Sequence, residues 1–118
     1  MKTLKIGIMP RKQFQERVKA IAAGKLNVKA GEPKVWFSSI KSLSEVLSDN
    51  NVRLLKQINE YHPQTISELA ELSGRKPGNL SRTLKTMEKY GIVELKKYDS
   101  RKVRPIAKTT QFDIRYAI

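Results

Sequence analysis

The residues best suited to chemistry on a ligand lie between residues 79 and 85, where amide, hydroxyl and basic side chains alternate with aliphatic ones. Arginine can form two hydrogen bonds with the edge of a guanine, and asparagine can do the same with adenine. Arg82 and Asn79 are therefore the candidates for contact with base edges, while Ser81 and Lys85 could contact either bases or phosphates. This set of residue types indicates recognition of double-stranded DNA.

A second group lies just before these residues. Arg75, Lys76 and the backbone N–H of Gly78 are expected at the start of a helix, where free amides and the helix dipole favour a phosphate. Together the two groups predict a helix whose first turns face a nucleic acid.

Two short helices are predicted to position this surface. Thr65 and Glu68 have the spacing of a capping box at the start of the first helix, and Gly74 suits its end. Pro77 suits the first turn of the second helix, predicted over 77–90. The apolar side of the first is expected to hold Ile66, Leu69, Ala70 and Leu72, and that of the second Leu80, Leu84 and Met87. Two helices joined by a tight, glycine-containing turn predict a helix-turn-helix.

The spacing of apolar residues changes after Gly91 from a helical period to a period of two. A strand is predicted from Ile92, a turn at Asp99-Ser100 and a returning strand from Val103, with Pro105 keeping that strand at an edge. The tip, over 96–104, is a basic hairpin of the kind called a wing. Its predicted DNA contacts, in the minor groove or at flanking phosphates, are Lys97, Arg101, Lys102 and Arg104.

The rest of the chain is predicted to form the helices and strands that support this surface. The further predicted elements are a strand over 2–9, a helix over 11–23, a linker over 25–34, helices over 39–47 and from Ser48 to His62, and a strand over 112–118. The helix from Ser48 is expected to bury Val52, Leu54, Leu55 and Ile58. The last strand is expected to pair with residues 4–8, within one chain or across a dimer. The apolar stripe of the helix over 11–23 either packs on the body or a second subunit, or serves as a partner-binding arm.

The segment from Leu80 to Val93 resembles the recognition-helix signature of small winged helix-turn-helix regulators of the MarR/ArsR type. In those regulators an aliphatic residue and Ser-Arg precede a Leu, and a Gly-Ile-Val opens the wing, as Ser81-Arg82 and Gly91-Ile92-Val93 do here. The wider chain, with Glu32-Pro33-Lys34-Val35-Trp36-Phe37, resembles short prokaryotic regulators, some of which act as antitoxins of toxin–antitoxin operons. The resemblance implies a DNA-binding repressor, with a cognate toxin as a partner.

The distribution of charge agrees with a polyanionic ligand. The 118 residues carry a net charge of +13. Residues 75–104 hold ten Lys or Arg against three Asp or Glu, residues 1–34 hold nine against two, and residues 35–74 hold three against five. Charge that only kept the protein in solution would not be segregated in this way, so a nucleic acid is the expected partner, ahead of an anionic membrane.

The sequence disfavours an enzyme. The single histidine, His62, precedes Pro63 in an interhelical turn and has no spacing partner for a metal site or a catalytic triad. Glu68 and Glu71 are neighbours on a helix surface, but Glu68 is expected to cap that helix. We therefore expect no catalytic residues, no metal and no cofactor. The absence of cysteine and of any long apolar run predicts a soluble protein of the reducing cytoplasm.

These observations predict an α+β, mostly helical protein: a basic strand–helix arm and linker over 1–34 and a winged helix-turn-helix domain over 35–118. The expected function is transcriptional regulation, as a repressor or autorepressor that binds a palindrome as a homodimer. Two other functions stay open, namely a non-specific nucleic-acid-binding module, including an RNA-binding one, and a module for an acidic protein.

Overall fold

The structure, a computed structural model, describes residues 2–116 and residue 118, with only the backbone of Lys2. The described chain is α+β, with five helices and five strands in two sheets. In order, the elements are β1 (Lys2–Ile8), α1 (Arg11–Ala22), β2 (Val35–Phe37), α2 (Ile40–Val46), α3 (Asp49–Tyr61), α4 (Ile66–Ser73), α5 (Pro77–Lys89), β3 (Val93–Lys97), β4 (Val103–Ala107) and β5 (Thr109–Tyr116). The predicted elements are thus confirmed to within a few residues. The predicted last strand ran to Ile118, and Ala117 lies outside the described residues.

The larger sheet joins both ends of the chain. Its order is β2-β1-β5, and β1 is parallel to both neighbours, with Ile6 in register with Val35 on one side and Ile114 on the other. Ile6 and Ile8 are buried in the main core. The predicted pairing of the two terminal strands therefore occurs within one chain. The strand of the predicted arm is part of the core, so the division of the chain at residue 34 does not separate β1 from the body.

Hydroxyl side chains cap three of the helices. The side chains of Ser39, Ser48 and Thr65 accept hydrogen bonds from the backbone N–H groups three residues further on, at the starts of α2, α3 and α4. These bonds satisfy amides that have no partner within a helix. The capping box predicted at α4 differs in one contact, because the Glu68 carboxylate accepts from the N–H of Gln64 at 2.6 Å.

The core lies between the sheet and α2 to α5. Its fully buried side chains are Ile6, Leu54, Ile58, Leu69, Leu80, Leu84, Met87, Ile92 and Val93. Two residues predicted to be buried are exposed instead, Val52 by 46% and Leu72 by 44%. Both lie at the margins of their helices' apolar stripes, Val52 beside an open groove next to β5 and Leu72 on an eight-residue helix whose buried residue is Leu69.

The smaller sheet is the predicted hairpin. Gly91, at φ 77°, ends the turn after α5, and β3 then pairs antiparallel with β4, with Leu95 opposite Pro105. The hydroxyl of Tyr98, in the connecting turn, donates a 2.8 Å hydrogen bond to the backbone carbonyl of Gln64. The hairpin is therefore tethered to the residue before the N-cap of α4.

Helix α1 lies on the other face of the larger sheet. Side chains alternate along a strand, so Gly7 and Trp36, which are in register, face away from Ile6 and Ile8. The Phe14 ring lies 6.3 Å from the Trp36 ring, and the Arg17 guanidinium lies 5.2 Å above that indole and forms an ion pair with Glu32. None of the residues of α1 is buried. Its stripe meets the body mainly at Trp36, and the predicted contact with a second subunit or partner stays a prediction.

Candidate functional site

The start of α5, like that of α1, has no side-chain cap. Lys76 is the N-cap residue, and its side chain makes no capping hydrogen bond. The first turn contains Pro77 and no acidic residue. Serine or threonine occupies the same position in α2, α3 and α4. The N–H groups of Gly78 and Asn79, which a cap would bind, therefore have no side-chain acceptor within the described residues.

Gly78 has no role in the packing of the protein. A Cβ placed on this residue meets no heavy atom of the described residues within 4 Å, and its φ is not positive. Glycine inside a helix costs about 0.5–1 kcal/mol relative to alanine. The residue thus weakens the start of α5 without allowing any close packing or special backbone conformation in return.

The outward side of α5 is basic and unpaired. Lys76, Asn79, Arg82 and Lys85 are exposed and Ser81 is half-buried. Within the described residues the ion pairs are Arg17–Glu32 and Arg115–Asp113, so no basic group of α5 or of the hairpin is neutralised by a carboxylate. Nor does the side chain of Arg82 form a hydrogen bond with any described residue. These cations remain available to an anionic ligand.

Arg75 has a different position from the one expected for a phosphate ligand. Its half-buried guanidinium donates hydrogen bonds to the Oδ1 atoms of Asn51 at 2.9 Å and of Asn79 at 2.7 Å, and to the hydroxyl of Thr83 at 2.8 Å. The Asn51 amide also donates to the carbonyl of Val46 at 3.0 Å, at the end of α2. Arg75 thereby joins α2, α3 and α5.

The contact with Arg75 changes what Asn79 can offer. Pairing with the edge of an adenine uses both the oxygen and the nitrogen of the amide. The Asn79 oxygen already accepts from Arg75, which leaves the nitrogen as its free group. Sequence reasoning missed Asn51 and Thr83 as partners of Arg75. The sequence did contain one sign of this contact, because Thr83 lies one helical turn beyond Asn79 on the same side of α5.

The basic residues of the hairpin fall into two groups. Lys97, Arg101 and Lys102 are exposed around the connecting turn. Arg104 is half-buried and lines a groove of about 300 Å³ between β4 and the turn that follows α3. Arg104 therefore lies apart from the exposed tip of the hairpin, to which the sequence assigned it. His62 lies in this same groove and ends α3 at φ 49°, the turn position expected for it.

Neither a metal centre nor a membrane span is found in the described part of the chain. No group of three or more His, Cys, Asp or Glu side chains there could hold a metal ion. No helix among the described residues is long and apolar enough to cross a membrane.

These observations define a small α+β protein with an exposed basic helix start and a basic hairpin. Residues 46–114 match the model of the HVO_A0114 family, and since the match covers more than half of the chain, the protein belongs to that family. The match runs from the end of α2 into β5 and so includes α4, α5 and the hairpin. A comparison with curated proteins finds no match.

Proposed function

We propose that the protein is a sequence-specific DNA-binding transcriptional regulator of the winged helix-turn-helix class. In this proposal α4 and α5 are the helix-turn-helix, α5 enters the major groove, and the β3–β4 hairpin is the wing beside it. Bound at an operator, the protein would repress by occupying the promoter.

The observation that carries the proposal is the uncapped start of α5. Exposed N–H groups at Gly78 and Asn79, next to the unpaired cation of Lys76, form a site that suits a phosphate. The absence of a side chain at Gly78 lets a phosphate approach the backbone closely. An intramolecular role does not account for this glycine, whereas a ligand pressed against the backbone does.

Arg82 is the residue proposed to read sequence. It is exposed on α5 five residues beyond Pro77, and its guanidinium is free to pair with the O6 and N7 atoms of a guanine. Lys85 and the hairpin cations Lys97, Arg101 and Lys102 would contact phosphates. Arg75 would hold α5 at the correct angle without touching DNA, because four of its five N–H donors are already engaged within the chain.

The test is fluorescence anisotropy of the purified protein with the DNA upstream of its own gene, in the presence of competitor DNA and across a salt series. Five exposed cations are proposed to contact phosphates, and they predict a log–log salt slope of magnitude about 4.5 per protein chain. They are Lys76, Lys85, Lys97, Arg101 and Lys102. A specific, salt-sensitive complex supports the proposal. Absence of binding at low salt would refute it and favour an acidic protein as the ligand of the basic surface.

Substitutions distinguish a residue that reads the base sequence from one that only contacts phosphates. Arg82→Ala should lower affinity for the operator by about 1–3 kcal/mol and reduce the preference over random duplex. Lys85→Ala should weaken binding to all duplexes alike and reduce the salt slope by about one. Lys56→Ala is the matched control, since Lys56 is an exposed lysine of α3. Preference for single-stranded RNA over duplex DNA would contradict the proposed binding of α5 in the major groove of DNA.

A further inference from the structure

The strand β5 forms an open edge of the larger sheet. The order β2-β1-β5 leaves one side of this eight-residue strand without a neighbouring strand among the described residues. Such an edge presents unpaired N–H and C=O groups and is a template for another strand. A second strand added here would extend the sheet.

The apolar side of the sheet continues to this edge without cover. Ile114 and Tyr116 are in register with Ile6 and Ile8 and so share their face. Ile6 and Ile8 are buried, yet Ile114 is 48% and Tyr116 53% exposed. The layer of helices thus covers the central strand and leaves the apolar residues of the edge strand in contact with water.

We infer that β5 pairs antiparallel with β5 of a second copy of the chain, across a two-fold axis at Ile114. The two three-stranded sheets then form one continuous sheet of six strands. This surface is the same patch on both copies, as a two-fold dimer requires. The inference does not depend on DNA binding.

Symmetry and charge together select the register. Residues directly opposite each other in an antiparallel pair face the same side of a sheet. If a two-fold axis normal to the sheet relates the two strands, one residue must therefore lie opposite its own copy, and the axis passes between these two residues. Centring on Asp113 or Arg115 would oppose like charges. Centring on Ile114 places Asp113 opposite Arg115 of the second copy, twice. Other centres within the strand leave both charges without a counter-charge.

The selected register also matches the apolar face. Ile114 lies against Ile114 of the second copy, and Phe112 lies opposite Tyr116 of the second copy. Aromatic and opposite-charge pairs at directly opposed positions stabilise antiparallel strands. Within one chain Asp113 and Arg115 are 3.6 Å apart on one face, and both side chains are about half exposed. They are thus available to a second strand.

Sedimentation velocity without DNA tests the pairing. We expect a dimer for the wild type and a dissociation constant about tenfold higher for Asp113→Arg and for Arg115→Asp, because each variant opposes like charges at two symmetric positions. The double variant D113R/R115D restores opposite charges and should associate like the wild type. Circular dichroism and urea unfolding control for folding, because Asp113 is also in register with Lys5 of β1 within the same chain.

Crosslinking tests the axis itself. The protein contains no cysteine, so Ile114→Cys introduces a single thiol. Directly opposed residues have Cα atoms about 4.5–5.5 Å apart, which suits a disulfide. Thr110→Cys is the control, an exposed residue of the same strand, with the two thiols eight residue steps, roughly 27 Å, apart. We expect a disulfide-linked dimer only from Ile114→Cys.

Three results would overturn the inference: a monomeric wild type at all concentrations, a double variant as weak as the single ones, or equal crosslinking of the two cysteine variants. Each leaves the proposed DNA binding untouched, since DNA is absent from both experiments.

Discussion

Replacement of Gly78 by alanine should stabilise the protein. The added Cβ meets no atom within 4 Å in the described part of the chain, and the helical conformation suits alanine, so the native state is not strained. Alanine restricts the unfolded chain and favours the helix, which together contribute about 0.4–1 kcal/mol. Near the start of a helix we expect the low end, about 0.5 kcal/mol. For a chain of this size that raises the melting temperature by about 2 °C.

The same methyl group should weaken DNA binding. It would stand between a phosphate and the free N–H groups at the start of α5, and a hydrogen bond to a charged group contributes about 1.5–3 kcal/mol. We expect an affinity about tenfold lower or more. Because no cation is removed, the salt slope should stay as in the wild type, whereas Lys76→Ala should reduce it by about one.

Thermal unfolding and anisotropy on the same preparations measure both effects. A variant that is more stable yet binds more weakly at an unchanged salt slope is the expected result. If Gly78→Ala binds the operator as tightly as the wild type while the melting temperature rises, the start of α5 does not contact DNA. A fall in melting temperature would refute the reading of Gly78 as structurally unconstrained.

Three further variants test how the site is held in place. Arg75→Ala should lower the free energy of unfolding, measured with urea, by about 1–2 kcal/mol because its hydrogen bonds between helices are lost. The neighbouring Lys76→Ala is the control and should change that free energy by less than about 0.5 kcal/mol. Gly7→Ala should cost about 1–3 kcal/mol or more in the same measurement, since its Cβ would overlap the indole of Trp36, 2.8 Å from Cη2. Tyr98→Phe should speed amide hydrogen exchange in the hairpin relative to α5, because the tether to Gln64 is lost.

The order and type of the elements other than β2, which was not predicted, followed from local signals in the sequence. The caps at Ser48 and Thr65 act through residues three positions away, and the stripe of Leu80, Leu84 and Met87 lies on one side of a single helix. Such features depend on the chain within a turn or two. They are therefore readable without knowledge of the tertiary structure.

The sequence did not reveal which side chains of separate elements lie against each other. Whether Val52 is covered depends on how far β5, more than fifty residues later, extends over α3. The direction of Arg104 depends on the side of the hairpin that meets the turn after α3. Neither relation is encoded in the spacing of nearby residues, because both arise from the packing of separate elements.

Arg75 shows why a count of charges overstates a binding surface. Eight charged residues were candidates for DNA contact, and two of them, Arg75 and Arg104, are half-buried. A guanidinium has five N–H donors in a fixed plane, so it can join several acceptors within a fold as well as bind a phosphate. In binding Asn79, Arg75 also engages the oxygen that adenine recognition would need. Among the described residues of α5, Arg82 is then the side chain free for a bidentate contact with a base, and the proposed sequence preference depends chiefly on that residue.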